Sequence, residues 1–196
     1  MCRCSIATTH DSYVAGRLNS GVRPLSSSLQ QAKLFFKNMP DELIEAWLVE
    51  RVKSRGWPPL GPSWEALLRY YTPAQWQRFS WEKREIDLYA LNYSAKVANI
   101  ITGLAAACFQ KAKNAYSNIE NSGIRMRSIY DHLEQTGRLP GTVALIADAE
   151  WEIVDGSHRI SCYAAFHNTP LLAGKIEPLQ SAWVATLGNA RASAKV

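Results

Sequence analysis

The sequence predicts an α+β fold: a mixed sheet with surrounding helices, preceded by a helical extension. Three observations carry this prediction. A Trp-rich region, residues 31–85, places apolar side chains at helical spacing. Two β-like runs, 142–147 and 151–154, flank a three-residue turn. The second run then passes through Asp155-Gly156 directly into an amphipathic helix.

The chain has 196 residues, 47% of them hydrophobic and 20% charged, enough for one domain with a sizeable core or a core plus an extension. Seven Trp and eight Tyr exclude global disorder. The net charge of +5 is unevenly placed. Arg3, Arg17, Arg23, Lys33 and Lys37 against Asp11 make residues 1–40 strongly basic, and Arg191 and Lys195 do the same for 178–196. The stretch between is close to neutral. Basic tails suit nucleic acid or an anionic membrane surface, and equally plain solubility.

Cys2, Cys4, Cys108 and Cys162 offer no disulfide framework, and a reducing cytoplasm is expected. Cys2 and Cys4, as a lone C-x-C, are a weak metal or acylation signal. Residues 1–30 are Ser- and Thr-rich, lack the apolar core of a secretory signal, and read as a mobile basic tail.

A helix is expected from Pro40-Asp41-Glu42, with Leu43, Ile44, Trp47 and Leu48 as one stripe and Gly56-Trp57-Pro58-Pro59 as its end. Pro62-Ser63 opens a second, carrying Trp64, Leu67, Leu68 and Tyr71. Thr72-Pro73 caps a short third. Residues 86–93 fit strand or helix. A largely buried helix is expected from Ala95 to about Tyr116, with Lys111 and Lys113 near its solvent end. Met126, Ile129, Tyr130 and Leu133 mark another, closed by Gly137. Arg125 and Arg127 fall outside that stripe and read as a solvated face in preference to an anion site. The hairpin turns at Asp148-Ala149-Glu150. After it, a helix over 157–166 carries Ile160, Tyr163 and Ala164 on one face, with Cys162 in its core, and stops at Asn168-Thr169-Pro170. Residues 171–176 are the candidate return strand. The core domain therefore spans 86–187, and 188–196 is a loose tail.

Chemistry concentrates at Asp155-Gly156-Ser157-His158-Arg159. Glycine lets backbone approach a ligand, and the helix's first turn presents unpaired N–H groups at its positive end. That combination favours phosphate. His158 and Arg159 add donors, and Asp155 is placed to hold a metal ion or orient water. The same residues also fit a bare turn, a cap and two polar side chains. Gly174-Lys175-Ile176 lacks the rest of a Walker A motif, and His10, His132 and His167 are isolated.

The stretch 139–166, with its strand, turn, strand, Asp-Gly-x-His-Arg and helix, resembles the ParB/sulfiredoxin superfamily, in which this segment binds nucleotide phosphates. Sulfiredoxins carry a reactive cysteine just before the His-Arg pair; Ser157 stands there, so sulfinic-acid reduction is not expected. Partition proteins of the family continue into a helix-turn-helix module, for which the residues after this helix are too few.

Length, basic tails and texture resemble the plasmid fertility-inhibition factors of the oncogenic-suppression type, which block DNA export through a type IV secretion system. The resemblance implies ATP hydrolysis and DNA cleavage at one site. ATP and Mg²⁺ would be the cofactors. DNA and the conjugation apparatus or its transferred nucleoprotein would be the partners, in the cytoplasm or peripherally at the inner face of the inner membrane. On this reading Gly156, Ser157 and His158 cradle phosphate, Arg159 neutralises charge, and His158 donates a hydrogen bond or proton to an oxygen. Asp155, helped by Glu152 or Glu150, holds Mg²⁺ or positions water. Two alternatives remain: a free-amino-acid kinase, with Ser157 and the hairpin shaping an acceptor pocket, and a non-enzymatic, nucleotide-sensing inhibitor.

Overall fold

The computed structural model describes residues 25–57, 59, 61–109 and 122–188. Most of the basic tails, Cys2, Cys4, Lys111 and Lys113 lie outside the described residues. The first described element, α1 (Leu25–Phe35), starts inside the segment read as a tail. Next, α2 (Asp41–Leu43), a π-helical turn (Ile44–Leu48) and α3 (Val49–Arg55) run on continuously. Asp41 and Glu42 occupy the first turn, and the expected stripe of Leu43, Ile44, Trp47 and Leu48 is fully buried. Gly56, at φ +79, ends the run.

Then come α4 (Pro62–Leu67) and α5 (Pro73–Trp76). Thr72 caps α5 in a reciprocal box: its hydroxyl accepts from the Gln75 amide, and the Gln75 side chain accepts from the Thr72 amide at 2.8 Å.

The region expected to be wholly helical ends in a strand, β1 (Phe79–Ile86). Its charged run Glu82-Lys83-Arg84-Glu85 is exposed on both faces, so the sequence lacks the alternation that marks a half-buried strand. Residues 86–93 are mostly irregular. The long helix α6 (Ala95–Phe109) forms as expected, but it exposes Ala95, Lys96, Ala98, Asn99, Thr102 and Ala106 and is therefore only half buried. Helix α7 (Ser122–Thr136) is closed by Gly137 at φ +70. The hairpin is β2 (Ala144–Ala147) and β3 (Trp151–Asp155), followed by α8 (Ser157–His167).

The expected return strand over 171–176 does not exist. That segment opens with a single helical turn, α9 (Pro170–Ala173), and leaves Leu171 88% exposed. The return strand is β4 (Gln180–Leu187).

The sheet order is β1-β4-β2-β3, with β2 parallel to β4 and the other pairs antiparallel. The protein is thus α+β with a mixed four-stranded sheet. Both faces of that sheet are covered. On one, Phe36, Trp47, Trp64, Trp76 and Phe79 pack on Ala144, Ile146, Val154 and Ala185. On the other, Val97, Ile101, Ile160 and Tyr163 pack on Val143, Leu145, Ile153 and Ala182. A boundary at 85/86 would cut through β1, and the Trp-rich layer shares its core with the sheet. It is one face of the fold, not an appendage to it.

Candidate functional site at the β3–α8 corner

Strand β3 ends at Asp155, and the chain turns through Gly156 at φ 96°, ψ 16°. A side chain at Gly156 would be strained in this left-handed conformation, and its Cβ would lie 3.2 Å from Val143 Cγ2. The Ile160 amide donates to the Gly156 carbonyl at 2.9 Å and closes the first turn of α8. Gly156 is buried and provides no side-chain cap, so no side chain of the capping residue bonds the first amides of α8.

Asp155, Ser157, His158 and Arg159 are all half-buried around that end. The Arg159 guanidinium holds the corner together. Its Nη1 donates to the Thr142 carbonyl at 2.6 Å and to Asp155 Oδ2 at 3.2 Å. It thereby ties the start of β2 to the end of β3. A Cβ at Gly141 would lie 3.3 Å from Arg159 Nη2, so the neighbouring backbone also closes on this side chain.

Burial lowers the His158 pKa, and the positive charges of Arg125 and Arg159 lower it further, against a smaller opposing pull from Asp155. The imidazole is therefore neutral at pH 7. Arg125 is exposed on α7, and its charge also reaches His158. Both arginines are exposed, as the solvated-face reading expects, and Arg127 pairs with Asp131 at 2.9 Å and lies over the Tyr130 ring. The sequence signal available was the position of Arg125 just before buried Met126; helical periodicity alone cannot say which neighbour a flanking arginine meets.

The structure does not bring Glu152 to this group. Ile153 packs with the α8 face and Val154 with the Trp-rich face. Glu152 pairs across the hairpin with Ile146, whose side chain packs in the Trp-rich core. There its charge acts on Arg69 and Tyr71, and Arg69 donates to the Ile153 carbonyl along the strand edge. Glu150 is exposed in the hairpin turn.

These residues do not fit a protein-held Mg²⁺. One carboxylate stands at the corner, and it is already paired with Arg159. Among the described residues no group of three His, Cys, Asp or Glu is arranged to hold a metal ion.

A cavity of about 460 Å³ lies between α6 and α8, lined by Leu88, Tyr93, Ile101, Ile160 and Tyr163 among others, and none of residues 155–159 reaches it. A cleft of about 80 Å³ borders Gly141 and Thr142, with Lys83 and Ser181 on its walls. Of the isolated histidines, His10 lies outside the described residues, His132 is exposed, and His167 stacks on Tyr89 with ring centroids 3.8 Å apart. Among the described residues no helix is long and apolar enough to cross a membrane.

Comparison with protein-family models, curated proteins and solved structures returned no match to this chain.

Proposed function

We propose that the β3–α8 corner binds the phosphate of a nucleotide, and that the protein is a phosphate-ester hydrolase acting on ATP and DNA. Its role would be that of a plasmid fertility-inhibition factor, as its resemblance to that group implies. The observation that carries the reading is the glycine-bent opening of α8, without a side-chain cap, beside His158 and Arg159 and within the field of Arg125. Backbone amides and a positive helix end favour an oxyanion, and two guanidinium charges nearby add to the attraction. A histidine held neutral at pH 7 can take a proton from an attacking water. Arg159 is a positioning residue in this scheme, because Nη1 is committed to Thr142 and Asp155.

That same commitment favours a second reading, a nucleotide-binding inhibitor without hydrolysis, since Asp155 is engaged by Arg159 and is not held ready as a base.

Phosphate release from ATP separates the two. Hydrolysis predicts turnover by the purified chain that falls at least about 100-fold in His158→Gln with nucleotide affinity retained. Release that is equal in wild type and His158→Gln would remove His158 from the chemistry. Binding without release in either protein, together with intact inhibition of conjugation, would establish the second reading. Nicking of plasmid DNA, assayed with and without EDTA in the same proteins, tests the deoxyribonuclease activity.

A further inference from the structure

The described cysteines of this protein are not isolated core residues. Cys108, in the last turn of α6, and Cys162, in the middle of α8, lie 54 positions apart in sequence, yet their sulfurs are 3.3 Å apart. Cys162 is completely buried, while Cys108 is only partly covered. We propose that Cys108 and Cys162 form a redox modification site, which a peroxide converts to an intramolecular disulfide joining the end of α6 to α8.

The geometry needs little change. A disulfide requires the sulfurs to close to about 2.05 Å, a small movement for two facing side chains on packed helices. The helices are already held together by Val97, Ile101, Ile160, Tyr163 and Ala164. Their separation is thus set by the core and does not depend on the sulfur contact.

The chemistry divides the roles. The Cys162 thiol hydrogen-bonds to Cys108 and lowers its pKa, making Cys108 the readier thiolate; this same contact, with burial, pushes the Cys162 thiol up. The Cys108 thiolate attacks one peroxide oxygen, the O–O bond breaks, and hydroxide leaves, giving a sulfenic acid. Cys162 sulfur then attacks the Cys108 sulfur, the S–O bond breaks, and the hydroxyl leaves as water with the Cys162 proton. Two thiols lose two electrons and two protons, and the peroxide is reduced to two waters. The buried member of the pair is the resolving one. Met126, 5% exposed, lies beside it with its sulfur 3.9 Å from the Cys162 sulfur.

Oxidation would pin the last turn of α6 against the helix that opens at Gly156. It closes a loop of more than 50 residues, so the unfolded chain loses freedom and the melting temperature should rise.

The test uses the full chain, titrated with hydrogen peroxide, blocked with N-ethylmaleimide and mapped by mass spectrometry. The expected product is a Cys108–Cys162 cross-linked peptide lighter by two hydrogen atoms and restored by dithiothreitol. Cys162→Ser should instead leave a Cys108 sulfenic acid that dimedone traps. Amide hydrogen exchange in the last turn of α6 should slow on oxidation of the wild type. Both thiols recovered as maleimide adducts after peroxide treatment, or a bridge formed only through Cys2 or Cys4, would overturn the proposal. Because the decisive readout is made on the unaltered chain, misfolding of a variant cannot obscure it.

Discussion

His158 is the residue whose environment says most about the corner. Burial and two neighbouring guanidinium groups favour its neutral form, so its folded-state pKa lies below the ordinary value of 6.5. The unfolded chain then binds a proton more readily than the folded one as pH falls below 6.5. Stability is full above that pH and declines beneath it. His158→Gln should flatten this decline, which urea unfolding at pH values either side of 6.5 would measure; an unchanged slope would place the titration elsewhere. A bound phosphate acts in the opposite direction, since a nearby anion favours imidazolium. Phosphate affinity should therefore strengthen over the same range.

Much of this corner was legible in the sequence because its members are adjacent: Asp155, Gly156, Ser157, His158 and Arg159 reach one place through a single turn. Glu152 lies on the same strand, but its charge acts on Arg69 and Tyr71, a tertiary relation with no local signal. The effect of Arg125 on His158 is tertiary and left no local signal.

At the scale of elements, helices with local punctuation were the readable ones. The π-helical turn within 41–55 had no separate signal, but Pro40, the stripe from Leu43 to Leu48 and Gly56 bounded the run. Thr72-Pro73 likewise gave α5, and the box between Thr72 and Gln75 explains why four residues suffice. Thr72→Ala removes the hydroxyl that accepts from the Gln75 amide and should cost about 1 kcal/mol in denaturant unfolding. A cost near zero would mean that burial of Trp76 alone holds the turn.

The strands divide by their neighbours. The β2–β3 hairpin is contiguous and was found. Edge strand β1 was hidden by its charges. Strand β4, Gln180–Leu187, was passed over for 171–176, although its partners lie on both sides: β1, about 100 residues earlier, and β2. Non-local pairing of this kind leaves no trace in short-range periodicity.

At the scale of the whole molecule, the decisive feature is a sheet with two covered faces. The Trp-rich layer is a core in its own right. Trp76 stacks on Trp47 at 5.7 Å and on Trp81 at 6.3 Å, meets Phe36 and Phe79 edge-on, and donates its indole N–H to the Leu68 carbonyl at 3.1 Å. Trp76→Ala should cost about 3–5 kcal/mol. Because Ala144, Ile146 and Val154 belong to both that core and the strands leading to Gly156, the loss should appear in one transition. Helix content and the near-ultraviolet Trp signal should unfold together. Two separated transitions would mean that the layer is an independent unit. The sequence placed these tryptophans at helical spacing, but did not show that they pack on the back of the sheet carrying the site.

The most direct measurement follows the backbone amides of Ser157, His158 and Arg159 by nuclear magnetic resonance while a nucleoside diphosphate is added without metal. An oxyanion held at the opening of α8 predicts saturable shifts concentrated in these three amides, in Gly156 and in the His158 ring. Arg125→Ala should weaken the binding that those shifts report. Shifts that do not saturate, or that fall around Leu88, Ile101 and Tyr163 while residues 155–159 stay still, would contradict the account and move the ligand to the cavity between α6 and α8.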